Sequence, residues 1–218
     1  MIKKLNAPVL LISAAMLSSA PAMAYEAGDI LMRAGTASVN PEKTSDDVDL
    51  VAGAQASAND NTQLGISGTY MITNKLGVEV LGATPFTHKL KGKGGLAGFN
   101  IGEVKHLPPT VSAQYYFMDN ESTLQPYVGA GLNITVFFDE EVDSDLSGSY
   151  QALDLDESVG LAVQAGVDYS INDNMFVNAS AMYAKIGTTA TLKGTAGELT
   201  VDYDLDPMVY RVNFGYKF

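Results

Sequence analysis

Two histidines, His88 and His106, are the only side chains here whose ordinary pKa lies near neutral pH. They are the first candidates for acid–base catalysis, but no nucleophile motif accompanies them. Segments 65–68 (Gly-Ile-Ser-Gly) and 148–149 (Gly-Ser) miss the G-x-S-x-G spacing of hydrolases. No third metal ligand is evident beside the histidines. The glycine-rich segment 92–98 lacks the Lys-Ser/Thr ending of a phosphate-binding loop and is interpreted as a flexible loop. We therefore predict a protein that is not an enzyme and needs neither a metal nor a cofactor.

A second chemical feature is the acidic stretch from residue 139 to residue 157, which contains no Lys or Arg. Its acidic residues are Asp139, Glu140, Glu141, Asp143, Asp145, Asp154, Asp156 and Glu157. Carboxylates suit Ca²⁺ or Mg²⁺, but the order Asp-Glu-Glu-Val-Asp lacks the spacing and the glycine of an EF-hand. A solvated acidic surface is the favoured interpretation. Salt bridges to the lysines of the preceding long loop are an alternative.

The elements that must position these residues are predicted to be β-strands. In the last stretch of the chain, Met208, Tyr210, Val212, Phe214, Tyr216 and Phe218 share one face, and mostly polar residues share the other. This period of two is typical of a strand with lipid on one side and a lumen on the other. Similar alternation predicts eight strands, at 30–39, 62–72, 76–83, 110–118, 126–138, 158–171, 175–186 and 208–218.

The connections between these strands alternate in length. Those at 39–62, 83–110, 138–158 and 186–208 are long, whereas those at 73–75, 119–125 and 172–174 are short and rich in turn formers. Membrane barrels sort their connections in this way, with short turns in the periplasm and longer loops outside. The sequence therefore predicts an all-β fold, an eight-stranded antiparallel transmembrane β-barrel with short periplasmic turns and four long extracellular loops.

The amino terminus predicts export. Lys3 and Lys4 precede a short apolar run at 7–20 and an Ala-Met-Ala cleavage pattern at 22–24. We expect residues 1–24 to be a cleaved Sec-type signal peptide and residues 25–218 to be the barrel domain, in the outer membrane of a Gram-negative bacterium. Cysteine is absent, which excludes the disulfide-stapled secreted class. The net charge of −12 argues against nucleic acid as a partner.

Assigning the apolar faces to lipid places the opposite faces in the lumen. Arg33, Glu79, Asp168 and Arg211 then point inward, and we predict that they form a paired network, because isolated buried charges are costly. Two interpretations of this network remain open. It braces and plugs the barrel, or it forms a polar floor that stops an apolar ligand and diverts it sideways.

The chain resembles the OmpW family of small outer-membrane proteins. The matching motifs span nearly all of residues 25–218. They are Met32-Arg33-Ala34-Gly35, Asn61-Thr62-Gln63-Leu64-Gly65, Gly77-Val78-Glu79, Ala83-Thr84-Pro85-Phe86, His88-Lys89, His106-Leu107-Pro108-Pro109-Thr110, Pro126-Tyr127-Val128-Gly129-Ala130-Gly131, Phe137-Phe138 and Gln164-Ala165-Gly166-Val167-Asp168-Tyr169. The resemblance implies an eight-stranded barrel with a narrow, apolar lumen that passes small hydrophobic molecules. It also implies that phage or colicins are possible partners.

Two residues on the inward face are apolar, although most of the residues on that face are polar. Leu81 and Met182 both lie in the inward phase, toward the loop ends of their strands. The resemblance implies a lumen constriction at these positions, where Leu81 matches the family and Met182 replaces an aromatic residue. Simple filling of a small barrel is the alternative.

Two functions are consistent with these features of the sequence. The first is a narrow channel for passive transport of small hydrophobic or amphipathic molecules. The second is a sealed structural barrel whose loops bind phage, bacteriocins or host surfaces. In either case, outer-membrane lipids and lipopolysaccharide are expected to surround the protein.

Overall fold

The computed structural model describes residues 25–41, 54–95, 97–119, 122–195 and 197–218. The predicted signal peptide (1–24) and most of the first long loop (42–53) lie outside these residues. No helix in the described ranges is long and apolar enough to cross a membrane. The strands are β1 (Ile30–Asn40), β2 (Ala54–Ala58), β3 (Asn61–Met71), β4 (Leu76–Ala83), β5 (Phe86–Gly94), β6 (Asn100–Leu107), β7 (Thr110–Tyr116), β8 (Leu124–Val142), β9 (Ala152–Leu155), β10 (Ser158–Ser170), β11 (Met175–Ala184), β12 (Gly187–Gly194), β13 (Gly197–Asp204) and β14 (Met208–Lys217).

Strands β1, β3, β4, β7, β8, β10, β11 and β14 form a closed antiparallel barrel. Each pairs with the next in this order, and β14 returns to pair with β1 from Asn40↔Met208 to Leu31↔Lys217. Closure is required in a membrane because hydrocarbon offers no hydrogen-bond partner to an open edge. The predicted eight-stranded barrel is thus confirmed, and its strands differ from the predicted segments by only a few residues at their ends.

The two faces of the barrel wall reverse the pattern of a soluble protein. On β14, the outward side chains of Val212 and Phe214 are 59% and 69% exposed, whereas the inward Arg211 and Asn213 are 2% and 4% exposed. The middle sections of the other barrel strands repeat this arrangement, with apolar side chains outside and mostly polar ones inside. An outer surface of this kind is stable against lipid and would be unfavourable in water.

All four long connections contain strands that the sequence pattern did not predict. Strand β8 is longer than its predicted segment because it has two partners. Its lower half, nearer the periplasm, pairs with β7, and its upper half, on the extracellular side, pairs with β6. Strands β5 and β2 continue this sheet, while β9, β12 and β13 form a separate three-stranded sheet. In the glycine-rich segment interpreted as a flexible loop, residues 92–94 are instead the end of β5, and residues 95, 97 and 98 follow as turn residues before β6. Gly94 and Gly98 adopt positive φ angles. We call these strands and the upper half of β8 the extracellular extension.

The interior is layered along the barrel axis. The periplasmic end is filled by an aromatic plug made of Tyr25, Leu31, Met71, Tyr116, Tyr127 and Phe176. Gly215 makes room for this plug, because a Cβ at that position would overlap the ring of Phe176. A charged layer lies above it, and an apolar layer at the upper end of the barrel continues into the extracellular extension.

The membrane depth of Val212 on β14 can be tested by placing a charge at two heights of the lipid-facing wall. Val212→Arg, in the middle of the strand, is expected to lower the free energy of unfolding by about 2–4 kcal/mol, because the guanidinium would enter hydrocarbon. Met175→Arg is the matched control, since Met175 also faces outward but lies beside a short turn, where the cost is about 0–1 kcal/mol. Urea unfolding in lipid bilayers measures both. Equal losses would contradict the assigned depth.

Candidate functional site

The charged layer contains two connected groups of side chains. In the lower group, Arg33 donates to Asp168 over 2.7 Å from Nη2 to Oδ2. Its Nη1 donates to the Thr69 hydroxyl at 2.8 Å, and its Nη2 also donates to the Tyr116 hydroxyl at 2.9 Å. These residues come from four different barrel strands, so the guanidinium ties opposite parts of the wall together.

Asp168 accepts further hydrogen bonds that complete its surroundings. The Tyr25 hydroxyl donates to Oδ2 at 2.7 Å, and the Asn178 amide donates to Oδ1 at 2.7 Å. Tyr25 is the first residue after the predicted cleavage site, and it is 1% exposed. The sequence pattern did not identify it as an interior residue, because it precedes the first alternating segment.

The upper group is built around Arg211 and Glu79, whose Nη1 and Oε1 atoms are 3.4 Å apart. Arg211 also donates to Ser180 at 3.0 Å and to the Gln164 carbonyl oxygen at 2.7 Å. Gln164 in turn donates to Glu79 at 2.8 Å and to the Ser112 hydroxyl at 2.7 Å. The Glu79 carboxylate is therefore paired with a positive charge and also accepts a hydrogen bond from Gln164.

The two groups meet where Arg33 Nη1 lies 4.0 Å from Glu79 Oε1. The structure thus brings together Arg33, Glu79, Asp168 and Arg211, which the sequence assigned to one network. All four side chains are buried. Two positive and two negative groups balance, and their hydrogen bonds compensate for the loss of water. Together with the aromatic plug, this layer fills the lower lumen with protein side chains.

The apolar layer above contains Leu81 and Met182, which are 7% and 3% exposed. Both line a small cavity of about 20 Å³, which also touches Gly82 of β4, Pro108 between β6 and β7, and His106 of β6. A space of this size holds about one water molecule. Any larger molecule must therefore displace side chains to occupy it.

A second, larger cavity of about 160 Å³ lies inside the extracellular extension. Its lining is almost entirely apolar: Ala56, Leu90, Ile101, Leu146, Tyr150, Leu153, Leu155, Ala190, Leu192, Leu199, Val201 and Tyr203. Strands from both extracellular sheets contribute to it. The sequence pattern did not predict it because these residues come from segments that were interpreted as loops.

Strands β5 and β6 bring the two histidines into contact between these cavities. The Nε2 atoms of His88 and His106 are 3.0 Å apart, and the rings stack with centroids 4.9 Å apart. On β5, His88 lies between Phe86, which lines the lower cavity, and Leu90, which lines the upper one. The sequence separation of the two residues gave no indication of this pairing.

Burial controls the protonation of the histidines, which lie above the membrane-spanning strands. It lowers the pKa of His88, against smaller opposing effects of the Asn59 carbonyl and of Asp60. Burial and the adjacent His88 lower the pKa of His106 from 6.5 to about 3. Both rings are therefore neutral at neutral pH.

The acidic stretch is partly paired with lysines of neighbouring segments. Asp139 lies 3.1 Å from Lys105 Nζ, and Asp154 lies 2.9 Å from Lys193 Nζ. Within the described residues, no group of three or more His, Asp or Glu side chains is arranged to hold a metal ion.

A closed eight-stranded barrel with an apolar outer wall and a charged layer in its filled interior defines an outer-membrane β-barrel protein. Residues 26–218 match the model of the OmpW family, and the chain belongs to that family.

Relatives of known name and structure agree with this assignment. Outer membrane protein W of Vibrio cholerae serotype O1 is 49% identical over 207 residues, covering 94% of this chain and 95% of that protein. Outer membrane protein W of Escherichia coli K12 is 43% identical over 217 residues, covering 99% and 100%. The crystal structure of OprG from Pseudomonas aeruginosa superposes with a TM-score of 0.85 at 40% identity, covering 90% of this chain and 99% of that one. The protein is thus located in the bacterial outer membrane.

The coupling in the charged layer can be tested with a pair of substitutions. Asp168→Leu leaves Arg33 buried without its closest carboxylate, and we expect the free energy of unfolding to fall by about 3–5 kcal/mol. Adding Arg33→Met removes the stranded charge and should recover part of this loss. Urea unfolding in lipid bilayers measures the single and double variants. Strictly additive losses would show that the two side chains are not coupled.

Acidification is expected to destabilise the extracellular extension. Folded His106 binds fewer protons than unfolded His106 between its ordinary pKa of 6.5 and its lowered pKa of about 3. The contribution of His106 to the stability of the extension is therefore fully present above pH 6.5. It decreases as the pH falls from 6.5 toward 3. Amide hydrogen exchange of β5 and β6 measures the effect. A His88→Phe/His106→Phe double variant, compared at each pH, should show a weaker pH dependence, and an identical dependence would contradict the assignment.

Proposed function

We propose that this barrel is a passive route for small hydrophobic or amphipathic molecules that enter from outside the cell. The observation that carries the proposal is the order of the interior layers: two apolar cavities lie above a charged layer that fills the lumen. An apolar solute gains free energy by leaving water for such cavities. It would not cross the charged layer, because Arg33 and Glu79 would lose partners there.

The first step of the route is the cavity in the extracellular extension. At about 160 Å³ it is large enough for a small organic molecule, and its lining offers few polar groups. In this proposal the entrance lies beyond the membrane surface. An apolar solute that has crossed the polysaccharide outside the cell would therefore meet a protein pocket before it meets lipid.

The second step is the constriction at Leu81 and Met182. The cavity there holds only about 20 Å³, so these side chains must move when a solute passes. Methionine is suited to this role because its unbranched side chain repacks easily. We therefore assign the gate of the route to these two residues.

The last step is a sideways exit through the wall between β4 and β7. Their hydrogen-bonded pairing ends at Leu81↔Thr110, although β4 continues to Ala83. On the other side of this gap lie Pro108 and Pro109, which have no N–H to donate. Gly82 and Pro108 line the lower cavity, so the apolar space reaches the wall where pairing has ended. A solute leaving here would enter the lipid of the outer membrane.

A second candidate function is supported by the extracellular extension itself. Its paired strands present a folded surface above the membrane, with exposed acidic groups such as Asp154 and Glu198. A preorganised surface of this kind suits binding by phage or bacteriocins, because little conformational entropy is lost when the partner binds. In this alternative the barrel serves as an anchor and its interior only supports the extension.

The constriction can be tested with two substitutions of opposite effect. Met182→Trp should narrow the passage and slow uptake of a hydrophobic solute, whereas Leu81→Ala should widen it and accelerate uptake. Uptake into proteoliposomes is measured for one hydrophobic and one polar solute, against protein-free liposomes. We expect shifts of several-fold, confined to the hydrophobic solute, because a single side chain decides passage through so narrow a lumen.

Matched controls exist on the lipid-facing side of the wall. Met175→Trp and Leu132→Ala make the same kinds of change outside the barrel, where Met175 and Leu132 are exposed, and should leave uptake unchanged. If Met182→Trp and Leu81→Ala fold but alter uptake no more than these controls do, the channel proposal fails and the receptor function is favoured.

A further inference from the structure

The histidine pair is the polar element between the two apolar cavities, and its hydrogen bonds fix the position of its protons. His88 Nδ1 lies 2.6 Å from the carbonyl oxygen of Asn59. A carbonyl oxygen only accepts, so Nδ1 of His88 carries the hydrogen. The neutral ring then has a bare Nε2, which must accept a hydrogen bond.

The partner of that bare nitrogen is His106. Its Nε2 lies 3.0 Å from His88 Nε2, so it must carry the hydrogen and donate it. Neutral His106 then has a bare Nδ1. The backbone of Asn59 thus sets the tautomer of His106 through His88, and it makes Nδ1 of His106 a hydrogen-bond acceptor.

This acceptor is unused in the structure. His106 is 1% exposed, and its Nδ1 is buried without a hydrogen-bond partner in the described part of the chain. The same ring lines the lower cavity together with Leu81 and Met182. Buried polar groups are nearly always paired, so an unpaired one beside a cavity indicates a missing partner. That partner must be a donor.

We propose that His106 is a specificity-determining residue that selects solutes bearing a hydrogen-bond donor, such as a hydroxyl or a protonated carboxyl group, on an otherwise apolar body. This inference rests on the proposed function, because it concerns a molecule that occupies the lower cavity. The donor group binds Nδ1 of His106, while the apolar body packs against Leu81 and Met182. Small alcohols, phenols and protonated short-chain acids are the ligand class.

The physical basis is the cost of unmade hydrogen bonds. A hydroxyl that enters an apolar cavity loses its water and regains one hydrogen bond at Nδ1. An ether of similar size has no donor, so it leaves Nδ1 unpaired and gains no compensation. Sites with a placed polar group discriminate between such analogues more strongly than apolar pockets do.

The test uses cyclohexanol and cyclohexyl methyl ether, which share an apolar body and differ in the donor. Binding to the full barrel in lipid nanodiscs is followed by NMR, with the Met182 methyl group reporting on the cavity and the ¹⁵N signal of His106 Nδ1 reporting on the hydrogen bond. We expect cyclohexanol to bind about tenfold more tightly than the ether, as one net hydrogen bond allows. Only cyclohexanol should shift the Nδ1 signal in the manner of an accepted hydrogen bond.

Two variants separate recognition from folding. His106→Phe keeps an aromatic ring but removes the acceptor, so the preference for cyclohexanol should disappear while the Met182 methyl group still responds to both solutes. His106→Gln can donate to His88 through its amide and accept through its carbonyl oxygen, so it should retain part of the preference. Its retention would show that the acceptor, and not the ring, is recognised.

Several outcomes would overturn the inference. A spectrum of the free protein with the hydrogen on Nδ1 of His106 would remove the acceptor. Equal affinities for the two solutes, with a clear response at Met182, would reject selection by His106 and leave the proposed passage standing. No response at Met182 to either solute would reject both the inference and the proposed occupation of this cavity.

Discussion

Closure of the backbone hydrogen bonds is the constraint on which this structure depends. Lipid cannot replace a missing partner for an N–H or a C=O group, so the first and last strands must meet. The pairing of β1 with β14 satisfies this demand. It also fixes the width of the lumen, because eight strands enclose little more space than their own side chains fill. The contents of the interior follow from that width.

A narrow lumen forces its charged residues into contact. Arg33 and Arg211 share Glu79 between them, and Asp168 neutralises the lower guanidinium. This arrangement stabilises the centre of the barrel and fills the space through which a straight channel would run. A small barrel braced in this way is suited to transport only if the route leaves through the wall. The interrupted pairing beyond Leu81 on β4 is the place where the backbone leaves that possibility open.

The extracellular extension adds a cavity of about 160 Å³, whereas the cavity at the top of the lumen is only about 20 Å³. Above the membrane, water satisfies backbone groups, so strands there need not close into a barrel and are free to enclose a cavity. The hydrogen-bonded pair of His88 and His106 lies between that cavity and the lumen. A neutral imidazole pair is stable there because it satisfies most of its own hydrogen bonds in an apolar setting.

The sequence alone determined the strands of the barrel, their inward and outward faces and the side of the membrane for each connection. These properties follow from local alternation, which lipid on one face makes unusually regular. The sequence pattern also assigned four charged residues to the inward face: Arg33, Glu79, Asp168 and Arg211. Only the tertiary structure decided their partners, because barrel closure joins residues far apart in the chain, as when Arg33 meets Asp168. The strands of the extension and the histidine pair were likewise decided by tertiary pairing, since outside the membrane no lipid imposes a pattern on the sequence.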